Sequence, residues 1–260
     1  MRKVAILAHS HVTLFEMSCA IELFALPRPE FDNWYQADVV NLEGNDIHTT
    51  GNLIVKAQHC NTLEPYDTLV VPGWPTWDYP IPQTIEQQVH QFIKEGKRVL
   101  TLCSGSFLLG KLGLLDGKTA TTHWMYEQTF RRQFPLVHYQ PDVLYVFDGN
   151  IGCSAGSAAA LDLGLAVIRE DFGYNIANQV AKRLVISAHR LGYTDSEDRH
   201  SLSRHRYWKC QTSFPLPSTG PIANSTKALP LIPWLKKPIC RAVPLTGNFA
   251  PALIFHPKSG

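Results

Sequence analysis

Residues 98–117 read RVLTLCSGSFLLGKLGLLDG, and this stretch decides the fold. Arg98–Leu102 is a short apolar run of the kind that forms a strand buried on both faces. Ser104-Gly105-Ser106 is a turn of small residues. Residues 107–115 then carry large apolar side chains at helical spacing. A strand that runs through a tight turn into a helix, with Cys103 at the corner, is the geometry of a nucleophile elbow. Such a corner needs small neighbours because its central residue is held in a strained backbone conformation.

The same alternation extends in both directions. Residues 3–8 form a continuous β-type run. Residues 14–26 have helical spacing at Leu14, Met17, Ile21 and Phe24, with Pro27 and Pro29 as stops. Strands are expected at 37–42 and 68–71, the second ending in Pro72-Gly73. A small hairpin at 47–55 turns at Gly51. An amphipathic helix at 84–94 precedes Gly96, where a C′ glycine belongs. Beyond Cys103, a strand at 119–122, a helix at 125–134 and a hairpin of 143–147 with 151–154 across Asp148-Gly149 follow. Helices at 157–170 and 176–189 complete the pattern. Strands that alternate with helices give an α/β domain, a mainly parallel central sheet covered on both faces in three layers.

The character changes after about residue 190. Residues 190–260 hold ten Lys/Arg and three Asp/Glu, leaving fourteen against nineteen in the first 189. Nine of the eighteen prolines fall in the same stretch, and no Asp or Glu occurs after Asp198. Apart from residues 229–235, no helical or strand period is found. The expected organisation is one domain over 1–190 and a basic, proline-rich irregular tail over 191–260. The six cysteines form no CxxC pair, so neither a zinc site nor a dithiol motif is suggested. No stretch approaches the ~20 apolar residues of a membrane helix. A cytoplasmic protein with reduced thiols is expected.

The chemistry centres on Cys103. A thiol beside a helix N-terminus is expected to favour the thiolate, and the same N–H groups can bind an oxyanion. His123, in ATTHW, is expected at the carboxyl end of the next strand, in reach as a base. Glu16, on the first helix, is expected to face the same crevice, with Glu22 as the rival carboxylate further along. Each has an ordinary structural reading beside the functional one: a buried strand-end cysteine, a histidine bonded to a carbonyl, and a solvated first-turn glutamate.

The stretches LFEMSCAIELFALPRPEF, DTLVVPGW, TLCSGSFLLGKLGLLDGKTATTHW, DVLYVFDGNIGCSAGSAAALDLGLAVIREDFG and ANQVAKRLVISAHR resemble the ThiJ/PfpI superfamily. Within it they resemble the amidotransferase-like N-terminal domain of AraC-type transcription regulators. The resemblance implies a flavodoxin-like, amidotransferase-like sandwich. It implies a site built from Cys103, Glu16 and His123. It also implies pocket walls and backbone donors from Gly73, Ser104, Gly105, Ser154, Ala155 and Gly156, with Trp74 and Trp124 as aromatic lids. One position departs from the superfamily's proteases and deglycases, which commonly have a histidine directly after the cysteine; here it is Ser104. The resemblance therefore points to a ligand-sensing domain rather than an enzyme. A cysteine-dependent hydrolase or hydratase, similar to isonitrile hydratase, is the alternative, and a purely structural or dimerising module is a third. A small-molecule ligand and a homodimer are the implied partners. No cofactor or metal is implied, since no Gly-rich phosphate loop or metal-ligand spacing is present.

Regulators of this type continue into two helix-turn-helix units that read DNA. Residues 228–237, ALPLIPWLKK, are similar to the start of that domain. Residues 238–260 hold four prolines where helices would be required. DNA binding is thus expected only with an intact helix-turn-helix domain. A reading-frame shift near Leu191 accounts for the change in composition, with a natural extension as the alternative. Sequencing the coding DNA decides between them, because a shift requires a helix-turn-helix in another frame.

Overall fold

The computed structural model describes residues 1–187. The expected tail at 191–260 and the reading-frame shift lie outside the described residues. In chain order the elements are β1 (Lys3–Leu7), α1 (Leu14–Ala20), β2 (Gln36–Asn41), β3 (Ile47–His48), β4 (Ile54–Val55), β5 (Gln58–His59) and β6 (Thr68–Pro72). Then come α2 (Gln83–Lys94), β7 (Arg98–Leu102), α3 (Ser106–Lys111), β8 (Thr119–Ala120), α4 (Glu127–Gln133) and β9 (His138–Tyr139). The hairpin strands β10 (Tyr145–Asp148) and β11 (Ile151–Ser154) and the helices α5 (Ala159–Phe172) and α6 (Tyr174–Arg183) follow.

Seven strands form the central sheet in the order β10-β11-β7-β6-β1-β2-β5. All neighbours are parallel except β10 and β11. The central run β2-β1-β6-β7-β11 is the flavodoxin-like order, and its direction of winding reverses between β1 and β6. Alternation along β1 explains the layers. Val4 and Ile6 enter one apolar core, with Leu23, Phe24, Leu163 and Val167 from the α1 and α5 side. Ala5 and Leu7 enter the other, with Val89, Phe92, Phe107 and Phe130 from α2, α3 and α4.

Several sequence expectations change. The helix expected over 14–26 is regular only to Ala20; Ile21–Ala25 widens into a π-type turn, closed by the Leu26 N–H donating to the Ile21 carbonyl at 2.9 Å. The helix expected over 107–115 ends at Lys111, and that over 176–189 at Arg183. The hairpin turns through Gly149 and Asn150, because Asp148 still pairs with Ile151. The strand at 119–122 shortens to β8, and it pairs with β9 in a separate two-stranded sheet. The main-sheet neighbour of β7 on that side is β11. Strand β5, on the sheet edge beside β2, has only two residues and leaves no legible period.

Candidate functional site: a cysteine corner beside a hydroxyl-lined cavity

Strand β7 delivers Cys103 at its carboxyl end. The backbone there has φ +57°, a left-handed conformation that costs about 1–3 kcal/mol in a non-glycine residue. The strain therefore falls where the small-residue turn placed the corner. Gly105 makes the corner possible, because a Cβ there would meet the Val71 carbonyl oxygen at 2.2 Å. The Thr122 hydroxyl donates to the Cys103 carbonyl at 3.1 Å and fixes the turn from the far side.

The Cys103 thiol is buried against the Glu16 carboxyl, the Ser157 hydroxyl and the Ser104 backbone. The single proton of the Ser157 hydroxyl is donated to Glu16 Oε1 at 2.7 Å. Burial first, and the Glu16 charge second, push the thiol up to about 12. The Ser104 backbone hydrogen bond and the neighbouring Ser157 hydroxyl act the other way and are outweighed. The expected thiolate is therefore corrected to a neutral thiol. α3 has only six residues, and desolvation exceeds what its first amides return. Glu22 lies away from the corner, on the π-type turn, where its carboxylate is 3.6 Å from Arg28.

His123 reaches the region by a different route from the one its sequence position suggested. It follows β8 outside the main sheet and caps the tight turn Trp124–Tyr126, accepting the Met125 N–H at Nδ1 (3.2 Å). Its ring lies on Gly156, whose φ is +137° and where a Cβ would fall 2.5 Å from His123 Cδ2. Burial lowers its pKa, and the Glu16 charge opposes that. Among the described residues no hydrogen bond joins it to Cys103. Trp124 is 71% exposed beside it, with ring centres 5.5 Å apart.

A cavity of about 250 Å³ opens next to this corner. It lies over the carboxyl ends of β1, β6 and β7, at the reversal between β1 and β6 where ligands of such sheets bind. Thr13, Gly73, Trp74 and Ser104 line it, together with Trp77 and Tyr126 from the surrounding loops. Among the described residues, Cys103, Glu16, His123 and Trp124 do not line it. Ser104 is half of a backbone clamp, since its Oγ accepts the Trp74 N–H at 3.1 Å. Ser154 is buried with its hydroxyl aimed at the Thr101 carbonyl, 3.5 Å away. The Ala155 N–H donates to the Leu144 carbonyl at 2.8 Å, so this amide serves the hairpin and not a ligand.

Three residues here escaped the sequence reading. Ser157 supports Glu16; its one signal was the small-residue run 154–157 after a strand. Thr13 lines the cavity. His9 is fully buried below it, with Nε2 2.7 Å from the Gly73 carbonyl, Nδ1 2.9 Å from the Ser10 carbonyl, and its ring 4.3 Å from Trp74. Thr13 and His9 both follow β1, and position at a carboxyl end was their only signal. Among the described residues no group of His, Cys, Asp and Glu is arranged to hold a metal ion.

A strand-end cysteine under a first-helix glutamate, on a flavodoxin-like sheet, defines the class of amidotransferase-like α/β domains. The model of the DJ-1/PfpI family matches residues 2–170. The chain belongs to the DJ-1/PfpI family. It is similar to the HTH-type transcriptional regulator ArgR of Pseudomonas aeruginosa, 34% identical over 102 residues, which are 39% of this chain and 31% of that protein. It is also similar to the isonitrile hydratase of Pseudomonas putida, 34% identical over 104 residues, 38% of this chain and 44% of the hydratase. Both matches span less than half of the relative. The crystal structure of an AraC family transcriptional regulator from Pseudomonas putida superposes with a TM-score of 0.62 at 19% identity, covering 71% of this chain and all of that one. Among the described residues no helix is long and apolar enough to cross a membrane.

Proposed function

We propose that residues 1–187 are a ligand-sensing domain of the kind that AraC-type regulators carry, and that Cys103 serves it as architecture rather than as a nucleophile. The observation that carries this reading is the position of the thiol, 7% exposed, packed on Glu16 and outside the lining of the adjoining cavity. Burial and Glu16 hold Cys103 neutral, up to about 12, whereas a cysteine nucleophile works as the thiolate. His123, the expected base, is engaged elsewhere, and the adjoining cavity is formed without any of the three. Similarity to regulators supports the same reading. In this reading the domain works in the cytoplasm, as a homodimer, and its output onto DNA requires a helix-turn-helix domain.

The test is binding with the thiol removed. Cys103→Ala is expected to keep the small-molecule affinity of the wild-type chain, read as ligand-induced stabilisation. Loss of that affinity, together with turnover by the wild type, overturns the reading.

Two features favour a second reading, a cysteine-dependent hydrolase or hydratase: the left-handed backbone at Cys103 and its contact with Glu16, alongside the similarity to isonitrile hydratase. Stored strain of this kind clusters at functional sites.

A further inference from the structure

The cavity lining is chemically one-sided. Hydroxyls come from Thr13, Thr49, Thr50, Thr76, Ser104 and Tyr126. Among the described residues, none of those lining the cavity is Asp, Glu, Lys or Arg, and His11 is the one basic side chain. The nearby ammonium of Lys111 is held by the Trp77 carbonyl (2.7 Å) and the Tyr79 carbonyl (3.4 Å), which fixes the loop rather than charging the cavity. Aromatic surface comes from Trp77 and Tyr126, while Trp74 is 2% exposed and belongs to the floor.

Two of the hydroxyls converge. Thr13 precedes α1 but does not cap it, and its Oγ1 is buried with no hydrogen-bond partner. Ser104 Oγ accepts the Trp74 N–H, which leaves its own proton to donate. Both stand over Gly73: from the point where a Cβ would sit, Thr13 Oγ1 is 2.5 Å away and Ser104 Oγ 3.4 Å. A buried hydroxyl without a partner is unfavourable, and an acceptor brought from outside would complete the arrangement. A full negative charge finds no Lys or Arg in the lining to compensate its desolvation, and the one basic side chain there, His11, is turned edge-on to Trp77 and Tyr79. The floor is rigid. His9 grips the Gly73 carbonyl and lies against Trp74.

Resting on the reading of this cavity as the sensor's ligand site, we propose that it takes a small uncharged molecule. A carbonyl or carboxamide oxygen accepts from Thr13 and Ser104, and a flat apolar face lies on Trp77. A cavity of about 250 Å³ falls below the ~300–1,000 Å³ of drug-sized sites, which limits the ligand to roughly one ring with its substituent.

Three probes share one frame and differ in charge: benzamide, benzoate and benzylammonium. Each is titrated at millimolar concentration into the full chain, and amide shifts at Thr13, Trp74 and Ser104 are followed by NMR. Benzamide is expected to bind at least about tenfold more tightly than either ion. Thr13→Val, which keeps the shape, should weaken benzamide about fivefold or more, the loss of one hydrogen bond. Ser104→Ala should weaken it less, because it frees the Trp74 N–H as a substitute donor. Tighter binding of benzoate or benzylammonium overturns the assignment of ligand class and leaves the sensor cavity standing. Benzamide binding indifferent to Thr13→Val overturns the hydroxyl pair. Failure of all three probes overturns the cavity reading itself.

Discussion

The two ends of the central sheet treat polar groups in opposite ways. At the amino end Asp171 is 1% exposed, and every contact answers its charge. Arg98 grips it through both terminal nitrogens at 3.1 and 2.5 Å, the Tyr35 hydroxyl donates at 2.6 Å, and Arg2 lies 3.4 Å away. At the carboxyl end Thr13 Oγ1 has no partner, Cys103 holds a left-handed backbone, and His9 faces carbonyl oxygens at both ring nitrogens. The same strands thus hold a fully matched carboxylate at one end and an unpartnered hydroxyl beside a cavity at the other, while Trp34 Nε1, stacked on Phe172 at the amino end, lacks a partner but does not line that cavity. Buried polar groups are normally satisfied, so the unpartnered hydroxyl at the cavity is where a ligand is expected.

The contrast predicts a graded set of effects. The largest belongs to the amino end. Asp171→Ala strips the partner from Arg98 and Tyr35, and should destabilise the domain by about 3–5 kcal/mol in denaturant unfolding. A loss under about 1 kcal/mol would mean that the network is solvated after all. Gly105→Ala comes next. The added Cβ must displace the backbone at Val71, and a cost of about 1–3 kcal/mol or more is expected, accompanied by altered Cys103 reactivity. Unchanged stability would show that the corner can move apart.

Smaller effects belong to the thiol. Glu16→Gln removes a charge that raises the Cys103 pKa, so alkylation at pH 8 should speed up by about tenfold, one pKa unit. Ser157→Ala removes a neighbouring hydroxyl that lowers it, so the rate should fall, by less. Opposite signs for the two variants are the diagnostic result. The linkage has a definite direction too. The folded pKa lies above the free-thiol value of about 8.5, so the neutral thiol's contribution to stability is complete below that pH. It is lost as pH rises toward about 12.

Much of this architecture was legible because strand and helix periods alternate cleanly from Lys3 onward. Cys103 was legible as well, since Ser104-Gly105-Ser106 after an apolar run leaves few other conformations. Glu16 lies at the corner because the first turn of α1 begins soon after the carboxyl end of β1, across residues 8–13. What was illegible depends on tertiary pairing. Nothing in the residues at 119–122 says that β8 pairs with β9 and leaves β11 to flank β7. That the Ala155 N–H is committed to the Leu144 carbonyl was illegible for the same reason. Thr13 and Ser157 are ordinary hydroxyl residues in any sequence. Only the packed structure distinguishes one with a carboxylate partner from one with none.

The central claim is that Cys103 rests as a neutral thiol beside a site that does not use it. Its alkylation rate measured against pH, with Cys103→Ala as the blank, tests this directly. The expected rate stays low through neutrality and rises only well above pH 9, toward a midpoint near 12. A midpoint below the free-thiol value of about 8.5 would contradict it and put the hydratase reading first.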